Sequence, residues 1–124
     1  MQDFRNLEVW QIAHELTLGV YRRTQAFPSD ERFGLTSQLR RAACSIEANL
    51  AEGCGRGSDI DFSRFVQVAM GSASEVECHL LLAHDLGYLD HKTHQYLTEQ
   101  TQRVKRMLAS LLRTLKKVVG LGLF

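Results

Sequence analysis

LTEQTQRVKRMLASLLRTLKKV, residues 97–118, decides the fold. Leu97, Val104, Leu108, Leu111, Leu115 and Val118 recur close to heptad spacing, which places them on one stripe of a helix that packs against other helices. This is the clearest bundle stripe in the chain. It predicts a helix over about 91–118, with Asp90 as its N-cap.

Reading outward, Gly87 in LGYLD is the C′ residue of a preceding helix that spans about 59–86. Ser58 caps that helix, and Asp59 and Asp61 place acids in its first turn. Its apolar residues (Phe62, Phe65, Val66, Val68, Ala69, Met70, Ala73, Val76, Leu80, Leu81, Ala83, Leu86) spread over half the circumference or more, against about 100° for an ordinary core stripe. Self-association is the economical way to cover the excess. The competing reading is a helix set centrally in its own bundle.

Further back, Gly53–Gly57 breaks the chain after a helix over about 35–54. That helix aligns Leu39, Ala42, Ala43, Ile46, Leu50 and Gly53, a face small enough for a neighbour to approach closely. Gly34 and a turn or short helical piece at Ser29–Phe33 precede it. The first helix, about 6–27, carries Trp10, Ala13, Leu16 or Thr17, Val20, Tyr21 and Thr24 at three- and four-residue steps, and Pro28 ends it. Four helices with short loops predict one all-α domain over 1–124, an antiparallel up-and-down four-helix bundle. The apolar tail Gly120–Phe124 is too short and glycine-rich for a helix; it frays, or tucks against the bundle or a neighbouring subunit.

The totals agree. The chain has 124 residues and a single Pro, enough length for an ordinary core without staples. No basic, apolar leader opens it and no apolar run approaches the roughly 18–20 residues of a membrane span, so the expectation is a cytoplasmic protein without a membrane partner. Cys44, Cys54 and Cys78 match neither a zinc-ligand spacing nor a disulfide scaffold and are expected as reduced thiols. Net charge is +1, but residues 91–124 hold seven Lys/Arg against Glu99 alone, while residues 1–90 hold eight against thirteen Asp/Glu.

Catalytic and cofactor motifs fall away on inspection. GCGRGS at 53–58 follows a helix, not a strand, and lacks the P-loop lysine. The Glu-x-x-His pattern of di-iron bundles is missing. Glu75 with His79, and His91 with His94 beside Asp90, are pairs too few to converge on a metal. The expectation is a non-enzyme without cofactor or metal.

Two constellations remain. Arg103, Lys105, Arg106, Arg113, Lys116 and Lys117 lie in Thr101–Lys117, a segment without an acid. A charged face is ordinarily just solvated; brought together in several copies, such faces attract polyanions. Arg22, Arg23, Arg40 and Arg41 are secondary basic pairs that extend such a surface. No aromatic residue follows Tyr96 on this helix, which argues against a single-strand stacking platform. The second constellation is Ser45, Asn49 and Glu52, spaced along the border of the small-residue face, where polar groups need partners. Ser72, Ser74 or Glu75 would complete a network fixing register between helices or subunits; Arg56 is the competing partner for Glu52.

FRNLEVWQIA at 4–13, Phe27-Pro28, GLTSQLRRAACSIEANLAEG at 34–53, DFSRFVQVAMGSASEVE at 61–77 and LGYLD at 86–90 together resemble the bacterial family encoded in intervening sequences of 23S ribosomal RNA genes, also called S23 ribosomal proteins. The resemblance covers nearly the whole chain and implies a four-helix bundle assembling as a ring-like homopentamer. That family is similar in architecture to the accessory variability determinant of diversity-generating retroelements, which binds nucleic acid and a reverse transcriptase through a basic surface. The function expected is a non-enzymatic oligomeric scaffold that binds nucleic acid or nucleoprotein through the basic surface of the last helix. The alternative is a protein–protein adaptor with no nucleic-acid role.

Overall fold

The computed structural model describes residues 2–119; the tail expectation falls on residues outside the described ones. Among the described residues all regular structure is helical: α1 (Glu8–Thr24), α2 (Leu35–Cys54), α3 (Asp59–Asp85) and α4 (His91–Val119), with single 3-10 turns at Phe4–Asn6 and Ser29–Glu31. None of these helices is long and apolar enough to cross a membrane.

The helix limits follow local chemistry. Asp3 accepts from the Arg5 backbone N–H at 3.0 Å, which fixes a 3-10 turn and delays α1 to Glu8. α1 ends at Thr24, three residues short of the position expected from Pro28. There Phe27 N–H turns back to the Thr24 carbonyl, and the Thr24 hydroxyl donates to the Val20 carbonyl at 2.8 Å. Ser58 accepts from Asp61 N–H to start α3. Gly87, at φ +82°, closes α3 in the left-handed conformation that glycine adopts without strain. The N–H of Gly87 then reaches the His84 carbonyl and that of Tyr88 the Ala83 carbonyl. Asp90 starts α4 by accepting from Thr93 N–H at 2.7 Å.

α1 packs on α2 and α4, and α3 on the same two helices, so α1 and α3 stand diagonally across the bundle. The core between them is aliphatic: Leu16 and Val20 from α1, Leu39, Ile46 and Leu50 from α2, Val66, Val76 and Leu80 from α3, Leu97, Val104 and Leu108 from α4, all buried. α2 and α3 approach closely at Gly53. A Cβ on Gly53 would lie 2.8 Å from Phe62 Cδ1 and 2.9 Å from Phe65 Cβ, so the α2 backbone rests against the Phe62 ring and the base of the Phe65 side chain. Of the broad apolar surface of α3, Phe62, Val66, Ala69, Ala73, Val76, Leu80 and Ala83 are buried. Val68, Leu81 and Leu86 are 52%, 53% and 50% exposed, so this bundle does not enclose its third helix.

A candidate nucleic-acid interface on the last helix

α4 turns Leu97, Thr101, Val104, Leu108 and Leu115 into the core. Thr101 is tolerated there because its hydroxyl donates to the Leu97 carbonyl at 2.7 Å. At 100° per residue, Arg106, Arg113 and Lys117 then fall on the side opposite the core, with Arg103 beside them. Arg103, Arg106, Arg113, Lys116 and Lys117 are all exposed. Among the described residues none of these five is in an ion pair. From Arg103 to Lys117 the row extends about 21 Å along the helix at 1.5 Å per residue. The cations toward its C-terminal end also offset the negative end of the helix dipole.

Lys105 is set apart. Its Nζ lies 3.1 Å from Glu77 Oε1 and it is half-buried, while Gln102 donates to the other oxygen of the same carboxylate. It ties α4 to α3 and leaves five cations facing outward. Arg40, one of the secondary basic residues, is also engaged. Its Nε donates to Thr24 Oγ1 at 2.8 Å, a guanidinium nitrogen reaches the Tyr21 carbonyl at 3.3 Å, and the group lies 4.7 Å from the Tyr21 ring centroid. It covers the carbonyl end of α1 and is not part of the free basic surface.

The polar constellation divides. Ser45 Oγ meets Ser72 Oγ at 2.8 Å across the α2–α3 seam, and Asn49 Nδ2 donates to the Ser45 carbonyl at 2.8 Å and to Ser45 Oγ at 3.0 Å. Ser45, Asn49 and Ser72 therefore form one interhelical chain. Glu52 is not in it: its Oε2 takes Arg56 at 2.7 Å in an exposed pair. Glu75 pairs with His79 one turn along α3 at 3.2 Å, and Ser74 is exposed.

Sequence reasoning missed Glu31. One of its oxygens accepts from Leu35 N–H at the start of α2, the other from the Tyr88 hydroxyl at 2.9 Å. The Tyr88 phenol is held above its ordinary pKa first by that hydrogen bond. No pattern links positions 57 apart. The histidines near the α3–α4 turn form a further cluster, His84 stacking on His94 with ring centroids 4.4 Å apart and His91 6.1 Å from His84. Burial first, then the neighbouring His84 and His91, lower the His94 pKa.

Four packed helices, the last burying an aliphatic stripe and turning a row of arginines and lysines outward, define a small helical-bundle protein with one basic face. Within that class the chain belongs to the 23S rRNA-intervening sequence protein family, whose model matches residues 5–110. Arg103, Lys105 and Arg106 lie inside the match, whereas Arg113, Lys116 and Lys117 lie beyond it. The chain is also similar to a crystal structure of a protein with unknown function from the S23 ribosomal protein family of Bacteroides thetaiotaomicron. The TM-score is 0.78 at 21% identity, over 85% of this chain and 98% of that one, a likeness of fold. Comparison with curated proteins gives no match.

Proposed function

We propose that this chain is a non-enzymatic cytoplasmic scaffold, assembled as a ring-like homopentamer, that holds RNA or DNA against the outward face of α4. The observation that carries the reading is the row of five exposed cations, Arg103, Arg106, Arg113, Lys116 and Lys117, on a helix segment without an acid. Permanent cations on a convex face neutralise phosphates; they do not transfer protons or hold a reacting carbon. The up-and-down course of the helices is supported by pairs that count in opposite directions along neighbours. His14 meets Glu47 and Arg40 meets Thr24 between α1 and α2, and Glu77 meets Lys105 and His84 meets His94 between α3 and α4. The oligomer is supported by the half-exposed Val68, Leu82 and Leu86, which 100° per residue sets on one side of the third helix, a face that gains by burial against another chain.

Binding to duplex and single-stranded RNA and DNA, measured by fluorescence anisotropy across a salt series, tests the proposal. Affinity is expected to fall linearly on a log–log plot, with a slope of roughly −0.9 per duplex phosphate contacted. Neutralising Arg103, Arg106, Arg113 and Lys117 together is expected to abolish binding. No binding to either polymer at low salt would replace this reading with the protein–protein adaptor.

A further inference from the structure

The last turn of α1 and the first turns of α4 border a hollow of about 440 Å³, lined by Arg23, Asp90, Lys92, Thr93 and Tyr96. Small-ligand sites span roughly 300–1,000 Å³, so it has room for one. Arg23 and Lys92 are exposed, and among the described residues neither is in an ion pair. The Tyr96 ring is 52% exposed. Among the described residues it has neither an aromatic nor a cationic group against its face. Lys92 and Tyr96 are four positions apart and so share one side of α4. Asp90 is the acid of the lining, and its carboxylate is already committed to Thr93 N–H at 2.7 Å. That bond first, and then the nearby charges of Arg23 and Lys92, lower its pKa. Since Asp90 occupies the start of α4, an anion here is held by side chains and not by the helix end.

We infer that this hollow seats a phosphorylated nucleoside, its base on the Tyr96 ring and its phosphate between Arg23 and Lys92. An exposed ring stacks on any base, because every base has a π face. A guanidinium and an ammonium beside it supply charge-assisted bonds to phosphate oxygens. Two cations against one committed acid leave the lining positive, which disfavours a neutral ring; the tyrosine in turn adds nothing for a bare phosphate. A single ring is not a platform for a run of bases, so the seat takes one nucleotide, either free or at the end of a strand. Tyr96 precedes Arg103 by seven positions, which puts the seat about 10 Å along α4 from the basic row and on nearly the same side. Glu99, one turn beyond Tyr96, accepts from Gln95 at 3.3 Å and is outside the lining. His94 points about 200° around the helix from Tyr96 and is likewise outside it. The inference rests on the nucleic-acid reading for its choice of ligand, and adds to that reading a contact separate from the row.

Calorimetric titration of the full chain with adenosine monophosphate, adenosine and inorganic phosphate tests it. The monophosphate is expected to bind, and adenosine and phosphate each at least tenfold more weakly. Tyr96→Ala, Arg23→Gln and Lys92→Gln are each expected to weaken monophosphate binding about tenfold. Helix content should stay unchanged, because all three side chains are exposed. A short single strand with and without a terminal phosphate separates the two sources. Tighter binding of the phosphorylated strand, lost in Tyr96→Ala, assigns the seat to a strand end; equal binding of the two strands assigns it to the free nucleotide. A monophosphate that does not bind, or that binds all three variants as well as the native chain, overturns the seat. Polymer binding that persists in that case leaves the proposed function on the α4 row. Loss of polymer binding with the monophosphate still held would overturn the polymer reading and keep the seat.

Discussion

Ser45 Oγ and Ser72 Oγ, one on α2 and one on α3, share a hydrogen bond of 2.8 Å across the seam between those helices. Ser72 is buried, so its hydroxyl has no ready water to replace the partner. Ser45→Ala is therefore expected to cost about 1–2 kcal/mol in urea unfolding, more than an exposed serine would. The double variant with Ser72→Ala is expected to cost less than the two single losses summed, because it leaves neither hydroxyl orphaned.

Two glycines in helices should respond to alanine with opposite sign. Gly53→Ala would drive a methyl to within 3 Å of Phe62 and Phe65. A loss of about 1–3 kcal/mol is expected, despite alanine's better helix propensity. Gly71 has nothing within 4 Å of its added Cβ. Gly71→Ala is expected to raise stability by about 0.5–1 kcal/mol, read in the same unfolding experiment.

Glu52→Ala is expected to change stability by no more than a few tenths of a kcal/mol, since its pair with Arg56 is about half exposed on both sides. A loss comparable to that of Ser45→Ala would show that Glu52 acts in an interface the single chain does not contain.

Acid should weaken the α3–α4 end. His94 has its pKa lowered in the fold, first by burial and then by His84 and His91, with Asp85 opposing. The unfolded chain therefore binds the proton more readily than the native one. Stability is expected to fall as pH drops from about 6.5 toward the lowered native value, and to level off below it. His94→Gln is expected to flatten that part of the stability–pH curve.

What could be read from the residues was local. Ser58, Asp90 and Gly87 announce their roles because a cap acts within three or four positions of itself. The stripe of α4 likewise needs only its own spacing. The late start of α1 was hidden because Asp3 first spends its carboxylate on a competing 3-10 turn. Ser45 and Asn49 were legible as a polar border, and Ser72 as one of three candidate partners; the choice among them depends on helix rotation about the α2–α3 seam. Arg40 illustrates the opposite case. Beside Arg41 it reads as surface charge, yet 16 positions away it fastens the end of α1.

The imidazoles of His84, His91 and His94 occupy one extremity of the long axis, while Arg113, Lys116 and Lys117 lie near the other, about 28 Å along α4 from His94 to Arg113 at its rise per residue. The His94 ring, whose proton affinity the fold lowers, therefore lies away from the cations expected to hold the polymer. His94→Gln should consequently leave the salt dependence of polymer binding unchanged, since it alters the end of the bundle away from Arg113, Lys116 and Lys117.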